Sequence, residues 1–388
     1  MISRRVKGAD TMADQYRAEQ IGSLLRPTEV MDARATHAQG SITIEQLREV
    51  EDRAIIDALE MQRQVGVDIF SDGEFRRSWF SAAFADSIEG IVDDPDAVFV
   101  SSWQGEQGEL ADQVAADIGF AEQMVGAKLR QTRRLTGHES SFLKQHSPGP
   151  FKITMPGVMT RARTWYKPGV TDEFYPTQAD LIQDVVQILR GEVRALIDEG
   201  VTYIQLDSLR YVIQLADVSS RQQMAESGED LEQALDETIQ IDNDTLQDAA
   251  GTGVTVGLHM CRGNNRSAWR SEGGYDVIAE KAFSQLNVDR FLLEYDTVRA
   301  GGFEPLRFVP DGKTVVLGLI SSKDPTLESM DSLQRRIDEA ARYVPIENLA
   351  ISPQCGFAST APGNMLTQDQ QRRKLELVVE VAHKVWDN

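Results

Sequence analysis

The sequence has very little cysteine. Cys261 and Cys355 are the only two among 388 residues, too few for a disulfide framework. Positive charge is also scarce: 40 Lys and Arg stand against 61 Asp and Glu, for a formal net charge of −21. Nucleic acids and anionic membranes need a basic face, so the balance argues against both as partners, and the acidic surface reads as a solubility feature. Long apolar runs are missing too; none approaches the roughly 20 residues that span a bilayer. The opening MISRRVKGADTMADQ is charged and has no apolar signal core. These absences lead us to expect a cytoplasmic protein with reduced thiols, in which residues 1–14 form a disordered N-terminus.

A chain of this length buries a large core, as one α/β barrel with insertions or as two modest domains. Its punctuation favours alternation of strand and helix. QYRAEQIGSLLRP (15–27) reads as a short strand over 18–21 stopped by Gly22 and Pro27. Residues 44–65 carry apolar residues at helical spacing, opened by a Thr43/Gln46 capping box and closed by Gly66. VDIFSDGEF (67–75) follows as a second strand. The pattern then loosens over residues 76–135, with a helix-like run over 109–129, too long for an ordinary βα loop and read as an insertion over one end of the core.

Regular alternation resumes with strands in FKITMPG (151–157), VTYIQLDSL (201–209), VTVGLHM (254–260), VDRFLLEYD (288–296), TVVLGLISS (314–322) and NLAISPQCGF (348–357). Helices are expected over 177–200, 231–250, 275–286, 327–344 and 368–386, with a second insertion over 209–230. Eight strand candidates with helical connections predict a single (β/α)8 TIM-barrel domain over 1–388, insertions following strands 2 and 4. A doubly wound open sheet is the alternative. What favours the barrel is that Ser23, Glu74, Asp207, His259, Cys261, Glu294, Lys323 and Cys355 all fall at or just past strand C-terminal ends, where a barrel gathers its chemistry.

His259 and Cys261 lie two residues apart, so an imidazole and a thiolate share one strand face. Glu294 and Cys355, at the ends of strands 6 and 8, supply the other ligands of a four-coordinate zinc site. Taken singly, a cysteine is ordinarily a small buried hydrophobe, a strand-end histidine is hydrogen-bonded in place, and Glu294 caps a helix. A redox pair of Cys261 and Cys355 stays open but lacks CxxC spacing. Glu74 and Asp207 are open to a supporting role, and Lys323 to that of a solvated turn lysine.

His259-Met260-Cys261, Leu293-Glu294-Tyr295-Asp296 and Ser352-Pro353-Gln354-Cys355-Gly356 resemble the zinc-ligand motifs of the cobalamin-independent methionine synthase family. Ile21-Gly22-Ser23 and Asp72-Gly73-Glu74 extend the resemblance to most of 18–386, as the catalytic half of the long enzymes. It implies zinc-dependent thiol alkylation, in which a metal-bound thiolate of a homocysteine-like substrate attacks a methyl donor such as a methylated folate. The amino acid is then held by Ser23, Glu74 and Asp207.

The chain departs from the family in three places. Asp207 is followed by Ser208-Leu209 rather than Glu-Pro, Lys323 stands where a proton-donating His is expected, and Trp165 is out of register with the pterin-shelving tryptophan. Lys323 remains a general-acid candidate or a partner for an anionic substrate group. These features are similar to the short stand-alone members, including the epoxyalkane:coenzyme M transferases, so alkylation of another thiol is an alternative. A non-catalytic structural zinc protein and a uroporphyrinogen-decarboxylase-like barrel are further ones. Partners are expected to be a small thiol and an alkyl donor; a homo-oligomer is compatible with this reading.

Overall fold

The computed structural model of the chain describes residues 16–96, 103–117 and 123–387; the expected disordered stretch, 1–14, lies outside them. The strands in chain order are β1 (Ile88–Asp93), β2 (Gln123–Gln131), β3 (Ile153–Pro156), β4 (Tyr203–Asp207), β5 (Thr255–Met260), β6 (Arg290–Glu294), β7 (Thr314–Ile320) and β8 (Leu349–Pro353). β3 to β8 run parallel in sequential order. Every residue in them is buried, as expected where helices cover one face and a packed barrel interior the other.

Two irregular segments close the ring. Ala18 bridges Ile351 of β8 in parallel, and Phe70 bridges Phe151 next to β3. The segments join each other through the Asp68 N–H donating to the Ala18 carbonyl at 2.9 Å. They are single bridges rather than the strands expected at 18–21 and 67–75. The cause is a side chain distant in sequence: the Asp68 carboxylate accepts the N–H groups of Arg17 (2.6 Å) and Ala18 (2.7 Å), taking the place of a ladder carbonyl.

Most helix starts fall where the sequence places them, although the helix expected over 327–344 runs only from Met330 to Ala340. Thr43 and Gln46 form the capping box of Ile44–Val65, and Gly66 closes that helix in a left-handed conformation, φ 91°. The helix expected over 231–250 ends at Leu246 and continues as a single 3-10 turn, Gln247–Ala249.

The stretch 76–135 holds a helix, Gly108–Asp117, but residues 123–129 of the helical run expected over 109–129 are strand. β2 follows instead, paired antiparallel with β1. Val125 and Leu129 are buried while Lys128 and Arg130 are exposed, a period-2 pattern that sets the strand. A further helix, Gly137–His146, was not anticipated. The stretch 209–230 contains a π-helical turn, Tyr211–Ala216, and the helix Val218–Ser227. Among the described residues no helix is long and apolar enough to cross a membrane.

Candidate active site

One pocket opens at the C-terminal ends of the barrel strands. Its wall includes Ser23, Glu74, Asp207, His259, Cys261 and Cys355, contributed by five places in the ring. The ligand atoms of His259, Cys261 and Cys355 all lie within 4.8 Å of one another and are buried. The two sulfurs are 3.2 Å apart as free thiols.

Strand geometry sets the imidazole. His259 lies in β5 opposite Asp207 of β4, and its Nδ1 is 3.1 Å from the Leu292 carbonyl of β6. That contact calls for a proton on Nδ1 and leaves the Nε2 lone pair available. Nε2 is buried and has no hydrogen-bond partner. The Gly263 N–H donates to Cys261 Sγ at 3.3 Å. The Cys355 thiol is drawn well below its ordinary value by its hydrogen bond with Cys261, then by His259 and the Lys323 charge. The Cys261 thiol is pushed up by the same contact and by burial. A buried donor set of two sulfurs and one unsatisfied nitrogen fits zinc.

Glu294 is near these three but not within the 4.8 Å set. Its Oε1 pairs with Arg299 at 2.6 Å, and its Oε2 accepts the Arg262 N–H at 3.1 Å. Burial pushes this carboxyl up, but the charges of Lys323, Arg299 and Arg262 outweigh it and hold the group below its ordinary range. Lys323 is on the same side: its Nζ is buried without a hydrogen-bond partner, and its charge acts on Cys261, Cys355, Glu294 and Asp296. It does not line the pocket.

The opposite side of the pocket carries two carboxylates. Glu74 sits in a turn with φ 57°, a conformation uncommon outside glycine. Its Oε1 accepts the Thr154 hydroxyl at 2.7 Å, while Oε2 is buried and unpartnered. Gly22 leaves room for this carboxylate, since a Cβ there would stand 2.8 Å from Glu74 Oε1. Asp207 Oδ1 accepts from Gln205 Nε2 at 2.7 Å. Burial pushes the Asp207 carboxyl up to about 7, with His259 opposing and the Glu74 charge reinforcing the shift. Burial likewise raises Glu74, against the pull of Arg77 and Thr154.

Ser23 links this side to the metal-ligand side. Its carbonyl accepts the Phe357 N–H at 2.8 Å, its Oγ accepts the Ala358 N–H at 3.4 Å, and Gly356 packs so closely that a Cβ would lie 2.0 Å from that Oγ.

Sequence reading missed several wall residues: Phe80, Trp103, Leu209, Ile213 and Arg270. Trp103 belongs to the 76–135 excursion, which reaches the mouth by pairing Gln104 with Trp269. Its guanidinium neighbour, Arg270, lies 5.8 Å from the Trp103 ring centre. Trp165, by contrast, is buried edge-on against Phe84 and takes no part in the pocket wall. No spacing rule points from Trp103 to a mouth that gathers Ser23, Glu74, Asp207, His259 and Cys355 from along the whole chain.

Fold and pocket together define a (β/α)8 barrel with a candidate sulfur- and nitrogen-donor metal centre at its mouth, beside a pair of buried carboxylates. The chain belongs to the family described as cobalamin-independent synthase, catalytic domain, whose model matches residues 17–384. It is therefore a member of an enzyme family. It is 37% identical to the uncharacterised protein YxjG of Bacillus subtilis over 96% of this chain and 95% of that one. The methionine synthase of Sulfolobus acidocaldarius is 23% identical over 87% of this chain and 84% of its own length. A crystal structure of a putative vitamin-B12 independent methionine synthase from Listeria monocytogenes superposes with a TM-score of 0.71 at 25% identity, covering 96% of this chain and 98% of that one.

Proposed function

We propose that this protein transfers a methyl group to the sulfur of a small amino-acid thiol of the homocysteine type, with zinc held by His259, Cys261 and Cys355. The observation that carries the reading is the His259/Cys261/Cys355 cluster, with an unsatisfied Nε2, in one pocket with Glu74 and Asp207. Zinc bound there would supply a Lewis acid that keeps a thiol ionised near neutral pH. Glu294 is the candidate fourth donor, displaceable because Arg299 and the Arg262 N–H stabilise it when it is withdrawn.

The chain's own groups place the rest of the substrate. Glu74 Oε2 and Asp207 form an anionic seat for an ammonium, and Ser23 stands by for the carboxylate. Phe80, Trp103, Leu209 and Ile213 wall the approach to the sulfur with apolar surface, which strengthens the charge interactions inside by keeping water out. The Lys323 ammonium, buried and unpartnered, offers a proton or a balancing charge as the leaving group becomes negative. That same cation supports a second reading, in which the acceptor opens an epoxide and Lys323 balances the alkoxide.

Metal analysis of the purified protein, together with assays of thiol loss, tests both. L-Homocysteine is paired in turn with methyltetrahydrofolate and with a short epoxide. Methionine formed with the first donor supports methyl transfer, and thioether formed only with the second supports epoxide opening. Stoichiometric zinc with no thiol consumed from any donor would sink both in favour of a structural metal site.

A further inference from the structure

The turn that carries Glu74 also carries Arg77, a fully buried guanidinium with no solvent role. Its Nε donates to Glu139 Oε1 at 2.8 Å, and its Nη2 makes a second, short bond to the other oxygen of that carboxylate. Glu139 comes from the helix Gly137–His146. Of the remaining donors, Nη1 reaches Thr154 Oγ1 of β3 at 3.0 Å and the Phe80 carbonyl at 3.3 Å, and Nη2 reaches the Thr154 carbonyl at 2.9 Å. Because Thr154 Oγ1 accepts from Arg77, its one proton is directed to Glu74 Oε1, 2.7 Å away. Arg77 itself stays 3.5 Å from that oxygen. The main chain of the turn is pinned independently, since Arg26 Nη2 donates to the carbonyls of Glu74 (2.8 Å) and Arg77 (2.7 Å).

The charges make sense of the arrangement. An arginine beside Glu74 would ordinarily form a bidentate pair with it and cancel it as a seat for a cation. Glu139 occupies the fork of the guanidinium instead, so Glu74 Oε2 stays free to accept from a cation. We propose that Arg77 is a positioning residue for substrate recognition: anchored by Glu139, it orients the Thr154 hydroxyl so that Glu74 presents Oε2 to the substrate ammonium. This rests on the reading of Glu74 and Asp207 as an ammonium seat, and it gives the helix 137–146 a part in specificity although it never touches the pocket.

The test compares binding of L-homocysteine with that of 4-mercaptobutanoate, which keeps the thiol and carboxylate but has no amino group. Titration calorimetry on the zinc-loaded protein gives the ratio of the two affinities, and metal content is measured alongside. Arg77→Met leaves Glu139 buried without its partner and endangers folding, so Thr154→Val, of nearly the same shape, is the second variant. The ratio should favour L-homocysteine in the unaltered protein and fall about tenfold or more in both variants. Zinc content and affinity for 4-mercaptobutanoate should hold, and Arg77→Lys should recover part of the ratio. A ratio unchanged in Thr154→Val, or equal weakening of both thiols, overturns the role of Arg77. If the unaltered protein shows no preference for the amino thiol, the ammonium seat itself falls, and this inference with it.

Discussion

Asp207 is the residue at which function works against stability, and the conflict is measurable. Its carboxyl is pushed up to about 7 from an ordinary 3.8. A raised folded-state value means stability that is fully present below the unfolded pKa and lost as pH rises through the folded one. The shift of about 3 units corresponds to about 4 kcal/mol in total at about 1.4 kcal/mol per unit. About 2 kcal/mol of this is lost between about pH 5 and pH 7, and beyond about pH 8 the contribution is flat. Asp207→Asn keeps the shape and the acceptor for Gln205 Nε2 but has no charge to bury. Urea unfolding of both proteins at about pH 5 and about pH 8.5 should show the variant gaining a few kcal/mol at the higher pH relative to the lower. Other titrating groups, the metal ligands among them, contribute to both proteins and largely cancel in the difference. Adding L-homocysteine at the higher pH should then stabilise the unaltered protein more than the variant, because an ammonium compensates the carboxylate. Equal pH dependence in the two proteins would refute the reasoning.

Other expectations follow from the same site. Cys355→Ser and His259→Ala should each weaken zinc retention by more than about 100-fold, read by metal analysis after dialysis against a chelator. Gly356→Ala places a Cβ 2.0 Å from Ser23 Oγ; it should lower stability by about 1–3 kcal/mol and raise the KM for the thiol while leaving zinc content intact. Lys323→Met should cut alkyl transfer by about 100-fold or more without loss of zinc, measured as kcat at saturating thiol. Trp103→Ala should weaken use of the alkyl donor about tenfold, with thiol affinity in calorimetry unchanged.

Much of the barrel was legible because its core strands and helices obey local rules. β3 to β8 are short apolar runs bounded by glycine and polar turns, and the helix Ile44–Val65 opens on the capping box its sequence predicts. Where non-local contacts outweighed those rules, the reading failed. The first two barrel positions shrink to single bridges because a side chain, Asp68, takes over the hydrogen bonding of one segment. Helical spacing over 109–129 hides β2, where Val125, Lys128, Leu129 and Arg130 carry an alternation that its pairing with β1 exploits.

For the site, residue type and position at a strand end were sufficient to nominate His259, Cys261 and Cys355, because a parallel barrel directs all its strand ends to one mouth. The sequence by itself thus determined the alternation of strand and helix and the donor atoms available at that mouth. Only the tertiary structure decided which groups meet: that Glu294 is held by Arg299, that the Lys323 charge acts on both thiols, that Trp103 joins the wall, and that Glu139 occupies the fork of Arg77. The reason is physical. Backbone periodicity depends on neighbours a few residues apart, whereas a buried charge takes whichever partner packing leaves within reach, and that partner lies anywhere along the chain.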